Sequence, residues 1–349
     1  MKKVFFLFAT LVALSFVACS DDDTPPTLPP AASTPRYLAA HDGKLYVTMH
    51  TGSVVRIDTL SLAVDGTVAV GRNPEQLTVS GGNLYVANSG GLDYNTAVGY
   101  DRTVSVIDVR SFSEKKRINV ALNPTAVTTA PDGAVYVVSS GNYTDVPVLL
   151  QKIDPSSQAV TTVEGAAVSE MCIVGGSLFG LLSEYDEFWN PTLTYKRYDL
   201  ASGSLSTSWI APGEEPAAPY KVFAAGDYVA VSSTDYFSSG SVALYTVGGE
   251  KTAEFEAGIS PRKAVQAGDN IYILNEGVMG YNNSTLTKYT LSTGVAAPGC
   301  AFLAANEIGL GDTANDIIIY GSKMYIAVAT DNVIWVLDSE ARLIEQIAL

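Results

Sequence analysis

Ser80-Gly81-Gly82-Asn83-Leu84-Tyr85-Val86 is a turn followed by an aromatic-aliphatic run, and the same phrase returns along the whole chain. It stands as Lys44-Leu45-Tyr46-Val47, Ala134-Val135-Tyr136-Val137, Ser177-Leu178-Phe179-Gly180, Tyr228-Val229-Ala230-Val231, Asn270-Ile271-Tyr272-Ile273 and Lys323-Met324-Tyr325-Ile326. A partner run follows each, ending at Asp58, Asp108, Asp154, Asp199 and Asp338, and in Tyr245-Thr246 and Tyr289-Thr290 in the fifth and sixth repeats. A third run, such as Lys116 to Val120, and a fourth that often opens with proline (Pro74-Glu75-Gln76, Pro124-Thr125-Ala126, Pro261-Arg262-Lys263) complete the unit. Four short strands in each unit of roughly 40 to 50 residues are the signature of propeller blades. The chain therefore reads as all-β, a seven-bladed β-propeller of four-stranded antiparallel blades, with no sustained helical period. Its blades fall at 35–71, 72–121, 122–166, 167–212, 213–258, 259–311 and 312–349, and both chain ends supply complete blades. The recurring aromatic is assigned to packing between neighbouring blades.

The N-terminus sets an expected compartment. Lys2 and Lys3 precede an apolar run from Val4 to Val17, too short to span a bilayer, and Phe16-Val17-Ala18 leads into Cys19. Residues 1–18 thus read as a signal peptide and are excluded from the fold. Residues 19–34 follow as Ser20-Asp21-Asp22-Asp23 and a proline-rich spacer, leaving 35–349 as the propeller. Loss of two of the 21 basic residues leaves 19 against 36 acidic ones, a net charge of −17 with His neutral. Such a balance opposes nucleic-acid binding, which needs a basic stripe. Cys172 and Cys300 are too few for a disulfide framework. His41 and His50 are the only histidines, so no histidine-rich metal or nucleophile site is expected, and the chain reads as a non-enzyme. His50 is expected to be solvent-exposed.

Loop lengths locate the candidate site. Turns such as Ser80-Gly81-Gly82 and Pro131-Asp132-Gly133 are tight, whereas the loops after the aromatic strands of blades two to six are long. In a propeller those loops share a face with the linkers between blades, and function concentrates on elaborated loops. They carry Asp93, Tyr94, Asn95 and Tyr100; then Asn142, Tyr143 and Asp145; then Tyr185, Asp186, Phe188, Trp189 and Asn190; then Asp235, Tyr236 and Phe237; then Tyr281, Asn282 and Asn283. Tyrosine and tryptophan give rigid contact area, and Asn and Asp give donors and acceptors. The same residues are also what long turns are made of. Tyr94, Tyr143, Tyr185, Trp189 and Tyr236 are expected as platforms of a wide bowl.

Phe16 to Cys19 resembles the lipobox of bacterial lipoproteins, in which Cys19 would carry the lipid, and Ser20 to Asp23 looks like the surface-export signal of Bacteroidota. The stretches Gly71-Arg72-Asn73-Pro74-Glu75-Gln76-Leu77, Leu84 to Tyr94 and Ser140-Gly141-Asn142-Tyr143-Thr144-Asp145-Val146-Pro147 resemble YncE-type propellers, and more narrowly the BtuG group of surface lipoproteins. That resemblance implies a lipid-anchored protein on the outer face of the outer membrane. It would bind cobalamin (vitamin B12) or a related corrinoid and pass it to a BtuB-type TonB-dependent transporter. Other classes remain open on the residues: a glycan-binding or protein-docking propeller, or a Ca-dependent lactonase-type hydrolase. No catalytic cofactor is expected; cobalamin would be the bound ligand.

Overall fold

The computed structural model describes residues 34–91, 99–188 and 190–349. The expected signal peptide, Cys19 and the linker to residue 33 lie outside the described residues, as do Asp93, Tyr94, Asn95 and Trp189.

The described residues form seven four-stranded antiparallel sheets, each with its strands in chain order. The chain is a seven-bladed β-propeller. The first strand of each blade is innermost: Pro35–His41, Pro74–Ser80, Pro124–Thr129, Glu170–Val174, Pro219–Ala225, Pro261–Ala267 and Ala314–Tyr320. The aromatic phrase is the second strand. Blade one is built wholly from the N-terminal end (35–69) and blade seven wholly from the C-terminal end (314–348), so no sheet mixes the two ends. Their seam is held by side chains. Leu38 N donates to Asp316 Oδ2 at 2.8 Å, Gly43 N to the Tyr320 hydroxyl at 2.7 Å, and Lys323 Nζ to the Thr59 carbonyl at 2.7 Å.

Seven apolar clusters fill the seven gaps between blades, and six of them contain one aromatic from a second strand. Tyr46, Tyr85, Tyr136, Phe179, Tyr272 and Tyr325 are all fully buried. Each packs on the next blade, as Tyr85 does on Val127, Val135 and Val137. Blade five breaks the pattern with Ala230. There Phe223 and a stacked pair, Phe255 on Tyr289 at 4.2 Å between centroids, occupy the gap.

The aspartates that end the third strands build turns. Asp108 Oδ1 accepts from the backbone of Arg110 (3.1 Å) and Ser111 (2.8 Å), and Asp58, Asp154, Asp199 and Asp338 act likewise. Blades five and six, which lack the aspartate, find substitutes. Thr246 Oγ1 accepts from Gly248 N and Glu250 N, and Asp269 Oδ1 from Ser292 N at 3.1 Å. On the opposite face, Asn88 and Asn275 end their second strands fully buried, each donating to two hydroxyls of the adjacent strand. A Cβ at Gly71 would stand 2.4 Å from Asn88 Cγ, and one at Gly258 would stand 2.7 Å from Asn275 Nδ2. Glycine is therefore required where these linkers cross. The one helix among the described residues, Ala301–Asn306, lies between blades six and seven and has no counterpart in the sequence reading. Cys172 is buried and Cys300 exposed, both as free thiols.

Tyr85→Ala is expected to cost about 3–5 kcal/mol, as aromatic truncations in packed cores do. Ala230→Tyr should cost about 1–3 kcal/mol, because the fifth gap is already filled. Urea denaturation measures both, and a gain in stability from Ala230→Tyr would mean that the fifth gap holds unused space.

Candidate functional site

The linkers between blades and the long loops after the second strands lie on one face, so the first residues of each innermost strand open onto it. In six blades the pairing of first and second strands slips just inside that end: after Pro35, Pro74, Pro124, Pro219, Pro261 and Ala314. Proline has no N–H to give a ladder, and a bulge re-aims the residues beside it. The residues next to these slips form a polar collar around the axis: Arg36, Glu75, Thr125, Lys221, Arg262 and Asn315, with Glu170 from blade four. They line an axial cavity of about 630 Å³.

The collar is tied from blade to blade. Arg36 Nη2 meets Glu75 Oε2 at 2.8 Å, Lys221 pairs with Glu170, and Lys263 Nζ meets Asp316 Oδ1 at 2.5 Å. Arg262 is the most enclosed cation. Its Nη1 lies 2.6 Å from Glu276 Oε1, its Nη2 donates to the Tyr37 hydroxyl at 3.1 Å, and the Tyr220 hydroxyl donates to Glu276 Oε2 at 2.9 Å. Burial would raise the Glu276 pKa, but Arg262 and the Tyr220 hydrogen bond outweigh it and hold the carboxyl below its ordinary value. Burial likewise opposes the charge on Arg262, and Glu276, Tyr37, Tyr220 and Asp316 together more than restore it. The four cations and four carboxylates of these pairs sum to zero. His50 is half-buried beside this collar rather than exposed. Its Nε2 lies 2.8 Å from Asn73 Nδ2, and burial followed by the Arg36 charge lowers its pKa.

The loops form an outer rim. Tyr143, Tyr185, Tyr236, Phe237 and Tyr281 are exposed, from 55% for Tyr236 to 80% for Phe237, and Phe188 is exposed beside them. Tyr100 is half-buried and meets the Tyr143 ring edge-on at 6.2 Å. Tyr236 packs edge-on against Tyr220 at 5.5 Å, which joins the rim to the collar through Glu276. Tyr143 also lines the axial cavity. Tyr143 and Tyr236 hold φ of 60° and 70°, a left-handed backbone costing about 1 kcal/mol or more for such residues. Local contacts enforce it: Asn123 Nδ2 reaches the Tyr143 hydroxyl at 3.4 Å, and Thr234 Oγ1 accepts from Tyr236 N at 2.9 Å.

The polar rim residues are engaged in their own turns. Asn142 Oδ1 accepts from the backbone of Thr144, Asp145 and Val146, and its Nδ2 donates to Asp145 at 2.6 Å. Asp186 accepts from Phe188 N and Asn190 N, and from Asn190 Nδ2, each at 2.8 Å. Asp235 does the same for Phe237 and Ser238. Asn282 is exposed in a left-handed conformation (φ 52°) beside Tyr281, and Asn283 holds that turn through Val278 N. Tyr143, Tyr236 and Phe237 are thus exposed on pre-formed turns. The collar was missed in the sequence, although Pro35-Arg36, Pro74-Glu75 and Pro261-Arg262 carried its signal: a charge directly after the proline of a strand.

No family model matches the chain, and no curated protein matches it in sequence. Solved structures do match. The hydrazine synthase of Kuenenia stuttgartiensis aligns at 17% identity over 89% of this chain and 97% of that chain, with a TM-score of 0.64. The computationally designed Ika8 protein aligns at 10% identity over 90% and 87%, with a TM-score of 0.59. Dihydro-heme d1 dehydrogenase NirN in complex with DHE aligns at 14% identity over 92% and 67%, with a TM-score of 0.55. At these identities the likeness is one of fold, a propeller whose elaborated face suits binding or docking.

Glu276 ties Arg262 in place above the ordinary glutamate value of 4.5, and that contribution is lost as pH falls through its lowered folded value. Glu276→Gln should cost about 3 kcal/mol at pH 7, the low end for a buried pair because Glu276 keeps some solvent access. Denaturation curves should show the gap to the parent closing as pH falls below 4.5.

Proposed function

We propose that the chain is a surface lipoprotein, anchored through Cys19, that captures a corrinoid such as cobalamin on its loop-rich face and hands it to a TonB-dependent transporter without turning it over. The observation that carries this reading is the pairing of an exposed aromatic rim with a charge-balanced collar. A corrinoid is a broad disc edged with neutral amides. It needs flat apolar support and alternating donors and acceptors, with no net field to satisfy. Tyr143 and Tyr236 meet the first need from blades three and five, with blade four between them. Arg36, Glu75, Lys221 and Glu170 meet the second. Pre-formed turns lower the ordering cost of binding.

Calorimetric titration of the purified protein with cyanocobalamin, alongside its precursor cobinamide, tests the proposal. One-to-one heat is expected, and Tyr143→Ala and Tyr236→Ala should each weaken binding by about 2 kcal/mol while leaving the circular dichroism unchanged. No heat, and no colour retained through gel filtration, would exclude corrinoids.

A further inference from the structure

Blade four differs from the other six at its outer edge. In blades one, two, five and seven the outermost strand reaches the first residue of the third strand: Ser53 pairs with Ala69, Thr103 with Asn119, Ser241 with Glu256 and Val333 with Ala348. Blades three and six have short outer strands, Val160–Thr162 and Val295–Ala297, but cover the gap by other means. In blade three Val163 N donates to the Leu150 carbonyl at 2.9 Å. In blade six Gly299 N donates to Thr287 Oγ1 at 2.9 Å, and the helix Ala301–Asn306 packs on the same strand.

The outer strand of blade four is Leu205–Ser206 alone, paired with Tyr198 and Arg197. A single bridge then joins Ser208 to Tyr195. Among the described residues, nothing pairs with the outer edge of residues 191–194. That stretch reads Pro-Thr-Leu-Thr, half of it β-branched and suited to strand pairing. Natural edges are usually blunted by an outward lysine, but Lys196 turns inward and donates to the Gly165 carbonyl at 2.9 Å.

Beside this edge the departing chain leaves a cavity of about 270 Å³, lined by Leu193, Tyr195, Ile210, Pro216 and Glu215, with Thr207 and Ser208. Acidic groups flank it. Glu184 lies directly across the hairpin from Thr192 and is exposed, and Glu215 is exposed at the cavity wall. An open main-chain edge, a side-chain pocket and acidic flanks together describe a site for strand addition, where backbone bonds give affinity and the pocket gives selection.

We propose that residues 191–194 dock an extended segment of a partner protein that places an apolar residue in the cavity between two basic ones. The partner strand continues blade four where its own fourth strand stops. Its basic residues meet Glu184 and Glu215. This contact lies at the outer edge of the ring and is independent of the ligand read from the central bowl.

The test uses the full-length protein and a fluorescein-labelled peptide alternating lysine and valine, read by fluorescence anisotropy. Saturable one-to-one binding is expected. Glu215→Lys and Thr194→Pro should each weaken it about tenfold, as loss of a charged contact or a main-chain hydrogen bond does. Backbone N-methylation of the peptide should do the same. Glu215→Lys lies on the surface and reports even if Thr194→Pro disturbs the blade. No binding to the parent protein would overturn the proposal, as would equal binding of a glutamate–valine peptide or of the N-methylated one. A dimer by sedimentation that Thr194→Pro dissolves would assign the edge to a second copy instead.

Discussion

Each four-stranded sheet of this ring has two apolar faces and cannot bury either alone. Packing face to face with a neighbour on both sides buries both, and a closed ring is the arrangement that leaves no sheet with a bare face. The wedge aromatics, Tyr46 through Tyr325, set the spacing of that packing. Once seven sheets stand around an axis, their innermost strands border a hole that no apolar face can fill. The polar collar is what the sequence places there. Buried charge is costly unless paired, so every cation of the collar has a carboxylate from its own or an adjoining blade.

Collar and rim differ in kind. The collar is made of strand residues, fixed by bulges and by ion pairs that bridge blades. The rim is made of loop residues, with its carboxylates and amides spent on local turns and Tyr143, Phe188, Tyr236 and Phe237 exposed. A ligand arriving on this face therefore meets shape and apolar area from the rim, and hydrogen-bonding character from the floor. The Tyr236–Tyr220–Glu276–Arg262 chain of contacts makes the two parts one mechanical unit.

How much of this could be read beforehand depends on repetition. The blade count, the strand order and the burial of Tyr85 and its equivalents were legible because each signal recurs around the ring. Ala230 was visible as an exception, but its replacement by Phe223, Phe255 and Tyr289 comes from three different strands and has no local trace. The collar pairs are joined across wide separations, 39 residues between Arg36 and Glu75 and 225 between Tyr37 and Arg262, which only the closed ring brings together. In the loops, composition could not tell a turn-building carboxylate from one facing a ligand. Asp186 and Asp235 turned out to hold their own backbones, whereas the neighbouring Phe188 and Phe237 stand clear.

Six of the seven interfaces join blades that are consecutive in the chain. The seventh, where Leu38 meets Asp316 and Val47 meets Ala327, has no covalent bridge nearer than the whole length of the ring. Its two faces are nonetheless presented to each other at the high effective concentration of an intramolecular encounter, because the other six interfaces have met the cost of closing the loop. The seam is thus a clasp rather than a weld. It can form only after the blades on both sides exist, and it is the one place where the ring can part without breaking a connection between consecutive blades.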